Sequence, residues 1–290
     1  MKKYTTLNED LRKNFNERVY KIALDSGFTC PTRDGTKGTT GCFYCGETGS
    51  HYLNPIKKLT IKEQLEKGKI LLKKKYQAQK FLAYFQSFTP TYAPVEEIKK
   101  LFDQVVFDEE LVGLNIATRP DTLDEEKINF LAKVLKSRYH WVEVGLETSH
   151  DATLELIGRG HSYQDFLRTY DKLKDKGLRV CAHLILGLPN ETEEMILATI
   201  DRLVALRIDG LKLHNLHILK DSVFETWYSQ DKIRLFTYDE YLELVVKIIA
   251  RLPKEIVLHR LLGEAPKPYL VAPFWNKNKA VFLKELDELL

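Results

Sequence analysis

Cys30, Cys42 and Cys45 fall within one short stretch with C-x11-C-x2-C spacing. In a cytosolic chain such clustering points to metal rather than to disulfides. Thiolates suit an iron–sulfur cluster. Three of them with no obvious fourth leave one iron of a [4Fe-4S] cubane open to a small chelating ligand. A structural zinc site asks for four ligands. His51 is the nearby residue that could complete a zinc knuckle; Cys181 lies far along the chain, inside a predicted strand. Gly35, Gly38, Gly41 and Gly46 let the loop fold tightly and aim backbone N–H groups at cluster sulfurs. The zinc knuckle and three unrelated buried cysteines stand as competing readings.

The elements that must position this loop alternate between strand and helix. Val19–Leu24 reads as a strand running into the loop from Ser26 to Tyr52. A helix over Ile61–Tyr76 begins with a Thr60/Glu63 capping pair. Phe81–Phe88, Leu111–Thr118, Trp141–Glu147, Arg179–Leu186, Leu211–Ile218 and Ile256–Arg260 read as strands. Helices are expected over Val95–Phe107, from a Thr122/Glu125 capping pair to about Arg138, and over Tyr163–Lys176, Glu191–Leu206 and Tyr238–Arg251. The tail from Asn276 to Leu290 has helical periodicity. Such alternation means a parallel sheet with helices outside, either doubly wound or curved into a partly closed barrel. In both, the C-terminal ends of the strands carry the chemistry, and the cysteines follow the first strand. Within Val142–Thr148, alternation turns Glu143, Gly145 and Glu147 to one face, the expected barrel interior. Carboxylates there are costly unless paired or functional.

Bulk properties agree with a globular protein. Of 290 residues, 44% are hydrophobic and 29% charged, and the net charge is only +3. No apolar run approaches the ~20 residues of a membrane span. The N-terminus mixes charge throughout, unlike a signal peptide, so a cytoplasmic location without membrane attachment is expected. Basic residues crowd at Lys57-Lys58 and between Lys67 and Lys80, where a solvated helix face is the first reading. Neither a G-x-G-x-x-G after the first strand nor a G-x-x-x-x-G-K-[ST] occurs, so neither usual nucleotide loop is present.

The Cys42-Phe43-Tyr44-Cys45 segment resembles the radical S-adenosylmethionine (SAM) signature, whose usual form is C-x3-C-x2-C. The widened loop, from Cys30 through Arg33, Asp34, Gly35 and Gly38 to Cys45, looks like the YhcC/YtqA-like radical SAM family. The resemblance implies a partial (β/α)6 TIM-like barrel over residues 1–252, and a C-terminal strand and helix, 253–290, packed on the same core. It implies a [4Fe-4S] cluster on Cys30, Cys42 and Cys45, with SAM as second cofactor. The usual Gly-Gly-Glu-like turn that bonds the SAM amino group is missing, and Gln86 stands in its place. Thr118 and Arg119 are expected at the mouth of the site, with an ion pair from Arg119 to Asp121 or Asp124 as the competing reading. The stretch Leu156 to His161 resembles an arginine motif that gives Arg159 the role of forking onto the SAM carboxylate, with Glu147 beside it. The stretch Val180 to Thr192 resembles the strand-five motif, which turns Cys181 and His183 inward. Cys181 reads as inert packing, and His183 as a candidate contact. Lys212 and His214 are candidates for substrate or adenine contact, and His259 and Arg260 are similar candidates.

The same resemblance implies bacterial tRNA as partner. The step would belong to wobble-uridine modification of the 5-carboxymethylaminomethyl type, with an electron donor such as flavodoxin or ferredoxin and no role for DNA. Arg33, Lys37, Lys57 and Lys58 could line a basic mouth, and Phe43, Tyr44, Tyr52, Tyr84 and Phe85 could stack an extruded base. One competing reading is a radical SAM enzyme on a small molecule such as a tetrapyrrole; another is a non-catalytic zinc-binding interaction protein. A methylthiotransferase would need three more cysteines, and only Cys181 remains.

Overall fold

The computed structural model describes residues 3–47, 49 and 59–290. A short strand, β1 (Thr5–Thr6), leads into α1 (Leu7–Phe15), and β2 (Val19–Asp25) opens the alternation. Then follow α2 (Ile61–Tyr76), β3 (Lys80–Gln86), α3 (Val95–Asp103), β4 (Leu111–Thr118), α4 (Glu125–Leu135) and β5 (Tyr139–Glu147). Next come α5 (Asp151–Leu156), α6 (Tyr163–Asp175), β6 (Val180–Leu186), α7 (Glu193–Ala205) and β7 (Gly210–Asn215). The last part comprises β8 (Ile218–Leu219), α8 (Val223–Ser229), α9 (Tyr238–Arg251), β9 (Val257–Arg260), β10 (Leu270–Ala272) and α10 (Lys279–Leu289).

Eight strands form one sheet in the order β1-β9-β7-β6-β5-β4-β3-β2. All its pairings are parallel. β1 and β2 are its edges, so the curled sheet is a partial barrel. The expected six-unit barrel corresponds to β2 through β7, and β9 and β1 extend it.

Period two sorts the side chains. On β3, Phe81, Ala83 and Phe85 face the helices, and Phe85 stacks on Phe102 of α3 at 4.6 Å. The alternate residues Leu82, Tyr84 and Gln86 face the barrel interior. Phe85 is therefore core, which corrects its expected role as a base-stacking ring.

α1 floors the barrel at the N-terminal ends of the strands. Leu7 and Leu11 pack there against Val19, Leu82, Trp141, Val257 and the fully buried Cys181. The cysteine is thus a packing residue, as read.

Helix starts follow their caps. Thr60 and Glu63 form a reciprocal capping box, as do Thr237 and Glu240. The Thr122/Glu125 pair does not: Asp124 is the N-cap of α4 and accepts from the Lys127 N–H. Thr122 instead ends a 3-10 turn over Pro120–Thr122. The expected strand Leu211–Ile218 breaks after Asn215, and β8 pairs antiparallel with β10 in a small separate sheet. No helix among the described residues is long and apolar enough to cross a membrane.

Candidate active site

At the C-terminal ends of the strands lies a cavity of about 350 Å³, lined by all three loop cysteines. The cysteine loop is held down by its neighbours. Phe43 N–H donates to Ile157 O at 2.9 Å, and Phe224 N–H donates to Phe43 O at 3.0 Å. Gly158 has φ +64, and a Cβ there would meet the Phe43 ring at 2.9 Å. Only glycine gives the loop that seat.

Cys42 is buried between two guanidiniums. Arg159 Nη1 lies 3.5 Å and Arg119 Nη1 3.7 Å from its sulfur. Burial opposes ionisation, but these two charges outweigh it and hold the thiol below its ordinary value. The other two thiols behave differently. Burial raises Cys45 to about 11, although Arg33 opposes it. Burial also raises Cys30, with Thr89 Oγ1 at 2.9 Å pulling the other way. Metal binding requires the thiolates, so Cys42 is the one prepared in advance.

Arg159 is buried. Its Nη2 donates to Gly145 O at 2.6 Å and lies 3.2 Å from Glu147 Oε1. Tyr44 OH donates to the same carboxylate oxygen at 3.2 Å. Burial holds Glu147 above the usual carboxylate range although Arg159 opposes this. β5 ends in the left-handed region at Glu147, with φ 73. A non-glycine residue held there is a form of strain that clusters at functional sites. A Cβ on Gly145 would collide with Arg159 Nη2 and approach Glu147 Oε1 to 2.8 Å. Gly145→Ala is expected to displace Arg159 and to cost about 1–3 kcal/mol of stability, as overpacking does. Urea denaturation measures it.

Arg119 does pair with Asp121, through Nε and Nη2 at 2.9 Å each. It also reaches the cavity, so both expectations meet in one residue. Desolvation notwithstanding, Arg119 and Lys37 lower Asp121 to about 2. Thr118 lines the cavity, yet its hydroxyl is shared with Thr91 and Thr122.

Gln86 ends β3 at the cavity wall, and the next two residues turn through positive φ: Ser87 at 84 and Phe88 at 49. Ser87 Oγ and Arg159 Nε are buried without hydrogen-bond partners, and both residues line the cavity. Such orphans await a ligand or water.

The opposite wall is built by β6, β7 and β9. Glu143 is the hub of the barrel interior. It accepts from His183 Nε2 at 2.7 Å, Tyr84 OH at 2.8 Å and Lys212 Nζ at 2.9 Å. His259 Nδ1 at 3.2 Å and Lys21 Nζ at 3.4 Å complete it. Burial works against its charge, but Lys21 and Lys212 hold it well below the usual range. Burial lowers Lys212 to about 8 and His183 to about 3. His183, Lys212 and His214 line the cavity, as does Arg260, whereas His259 is not in its lining and makes a T-shaped contact with Trp141. The pairing of His259 with Arg260 as like candidates therefore splits.

Other expectations are corrected. Phe43 packs edge-on against Trp227, away from a stacking role. Arg33 donates to Gly46 O at 2.7 Å, and Lys37 is held by Asp121 and Gly160 O, so neither is a free basic group at the mouth. Tyr52, Lys57, Lys58 and His51 lie outside the described residues. Thr89 and Ser87, whose sequence context carries no signal, join the site only through the fold.

Among the described residues, no three His, Cys, Asp or Glu side chains close on a single metal ion. A cubane is larger and takes its thiolates further apart. Three cysteines around one cavity, with an orphaned guanidinium N–H beside them, fit a cluster and a chelating ligand.

The chain matches the Radical SAM superfamily over residues 35–203, and the Radical_SAM C-terminal domain over 208–290. It is 38% identical over 289 residues to the uncharacterized protein YtqA of Bacillus subtilis (strain 168), covering 100% of this chain and 90% of that one. It is 36% identical to protein YhcC of Escherichia coli (strain K12), over 97% of this chain and 90% of that one. A tRNA uridine(34) acetyltransferase of Methanocaldococcus jannaschii is 26% identical over 61% of this chain and 32% of its own length. In fold, the chain is similar to the archaeal Methanocaldococcus infernus Elp3, with a TM-score of 0.65 at 19% identity, over 87% of this chain and 58% of that one. Members of this superfamily bind a [4Fe-4S] cluster and SAM. A cavity ringed by three cysteines at the mouth of a partial barrel thus has its relatives, and the chain belongs to the radical SAM superfamily, in the group of YtqA and YhcC.

Proposed function

We propose that the protein cleaves SAM reductively and acts on a wobble uridine of tRNA, in modification of the 5-carboxymethylaminomethyl type. The convergence of Cys30, Cys42 and Cys45 with Arg159 on one cavity carries the first half. When bound, the cluster supplies the electron that splits SAM into methionine and a 5′-deoxyadenosyl radical, with a flavodoxin or ferredoxin as the source.

The chain's own residues have distinct tasks in this reading. Cys30, Cys42 and Cys45 hold the cluster. Arg159, steadied by Glu147 and the Gly145 carbonyl, receives the SAM carboxylate through its free Nε–H. Gln86 accepts from the SAM amino group at the end of β3. His183, Lys212 and His214 form the far wall against adenine or substrate. Residues 253–290 extend the barrel, and β9 adds Arg260 to the cavity. Tyr44 and the cysteine loop cover the site from water.

The tRNA half is supported by the relative whose name specifies tRNA uridine 34. The test is nucleoside analysis of bulk tRNA from cells lacking the gene, before and after incubation with reconstituted protein, SAM and dithionite. A modified uridine at position 34 is expected to change mass only when all three are present. Formation of 5′-deoxyadenosine with no change in any tRNA nucleoside would remove the tRNA reading and leave the enzyme class intact.

A further inference from the structure

On the β7–β9 wall of the cavity Arg260 carries a positive charge that no acid among the described residues answers. Lys212 on β7 and Arg260 on β9 are register partners and both line the cavity. Lys212 shares its carboxylate, Glu143, with Lys21. Arg260 Nη1 donates instead to His214 Nε2 at 3.1 Å, a neutral acceptor. Among the described residues no acid forms an ion pair with Arg260. Glu264, exposed at the rim of the same cavity, does not close on it.

The two histidines beside it record the same imbalance. Burial, then the Arg260 charge, holds His214 well below its ordinary value. The same two causes lower His217 to about 4. Both are neutral near pH 7, so neither adds charge, and Nη2 and Nε of Arg260 are left to form a fork.

Nothing SAM presents at this wall would satisfy that fork. In the proposed function its carboxylate is taken by Arg159, its sulfonium is positive and its adenine neutral. β7 and β9, which carry Lys212 and Arg260, are neighbours in the sheet, and neither adjoins β2, the strand that the cysteine loop follows. We propose that Arg260, with His214 and Lys212 beside it, is an oxyanion subsite that takes a carboxylate or phosphate group of the substrate. This deepens the proposed function and rests on it for the identity of the cavity.

The test is calorimetric titration of the cluster-loaded, SAM-bound protein, wild type and Arg260→Gln. Inorganic phosphate and malonate are the first probes. At least one is expected to bind wild type about tenfold more tightly than Arg260→Gln, the range of a lost charge-assisted hydrogen bond. Uridine, uridine 5′-monophosphate and 5-carboxymethylaminomethyluridine follow. Tighter binding of the monophosphate than of uridine assigns the oxyanion to the backbone; tighter binding of the carboxymethylaminomethyl compound assigns it to the base. Equal affinity of both simple anions for the two proteins, or binding to neither, would overturn the subsite. Arg260-dependent anion binding with no uridine compound bound keeps the subsite and removes the uridine reading. Cluster absorbance and SAM affinity identify a variant that fails to fold. Arg260→Lys, which keeps the charge without the fork, is then read in its place and is expected to bind with intermediate affinity.

Discussion

Cys42→Ala is expected to lose the cluster outright while the chain stays folded. After anaerobic reconstitution, bound iron and sulfide should fall to background and the visible absorption should disappear. Cys42 is the thiol that two buried guanidiniums already favour as thiolate, so its removal takes the best-prepared ligand. The scaffold has little reason to fail. Arg119 keeps its two bonds to Asp121, and Arg159 keeps Glu147 and the Gly145 carbonyl. Loss of one small buried side chain costs about 1 kcal/mol, which urea unfolding resolves. Cys181→Ala is the matched control. That thiol lies in the barrel floor among Leu7, Leu11, Trp141 and Val257, and its loss should leave iron content unchanged. Equal iron in wild type and Cys42→Ala would remove the loop from metal binding.

The largest expected stability change is at the interior hub. Glu143→Gln keeps the shape and one acceptor oxygen but leaves Lys21 and Lys212 without a counter-charge. Breaking one side of a buried ion pair costs about 3–5 kcal/mol. Glu143 is fully buried and serves both lysines, Tyr84 and two histidines, so the upper end of that range is expected. Lys212, already lowered to about 8 by burial, should drop further and release its proton near neutral pH. Chemical denaturation measures the loss. Adding Lys212→Met should restore part of it, because the double variant no longer buries an unpaired ammonium. A midpoint unchanged in Glu143→Gln would mean that the hub is screened by water and carries little of the stability.

The architecture was legible because each unit announces itself locally. The Thr60–Glu63 box starts its helix as read. The cysteine loop stands out by residue type alone, and a loop after the first strand of a parallel barrel has to lie at the C-terminal end of the sheet. α1 was not read, although its buried leucines close the barrel: Leu7 and Leu11 are too few to mark a helix before the floor they meet is known.

Period two could have been pressed harder on β3. Tyr84 and Phe85 are neighbours and cannot both face the cavity; Phe85 goes to the helices and Tyr84 to Glu143. Elsewhere alternation itself gives out. The pairing of β5 with β6 shifts between Gly145 and Glu147, and that of β7 with β9 shifts between Leu211 and Lys212. Those irregularities aim Glu147 at Arg159 and bring Arg260 opposite Lys212. The positive-φ turn at Ser87 and Phe88 is equally silent, since neither residue favours that conformation. The site is least readable where the backbone departs from its regular repeat.

The most direct measurement is 5′-deoxyadenosine formation by the reconstituted wild-type protein with SAM and dithionite, followed by chromatography. Deoxyadenosine that requires both cluster and reductant is the result expected of a radical SAM enzyme built on Cys30, Cys42 and Cys45. A fully assembled cluster that yields none, with or without added tRNA, would contradict it.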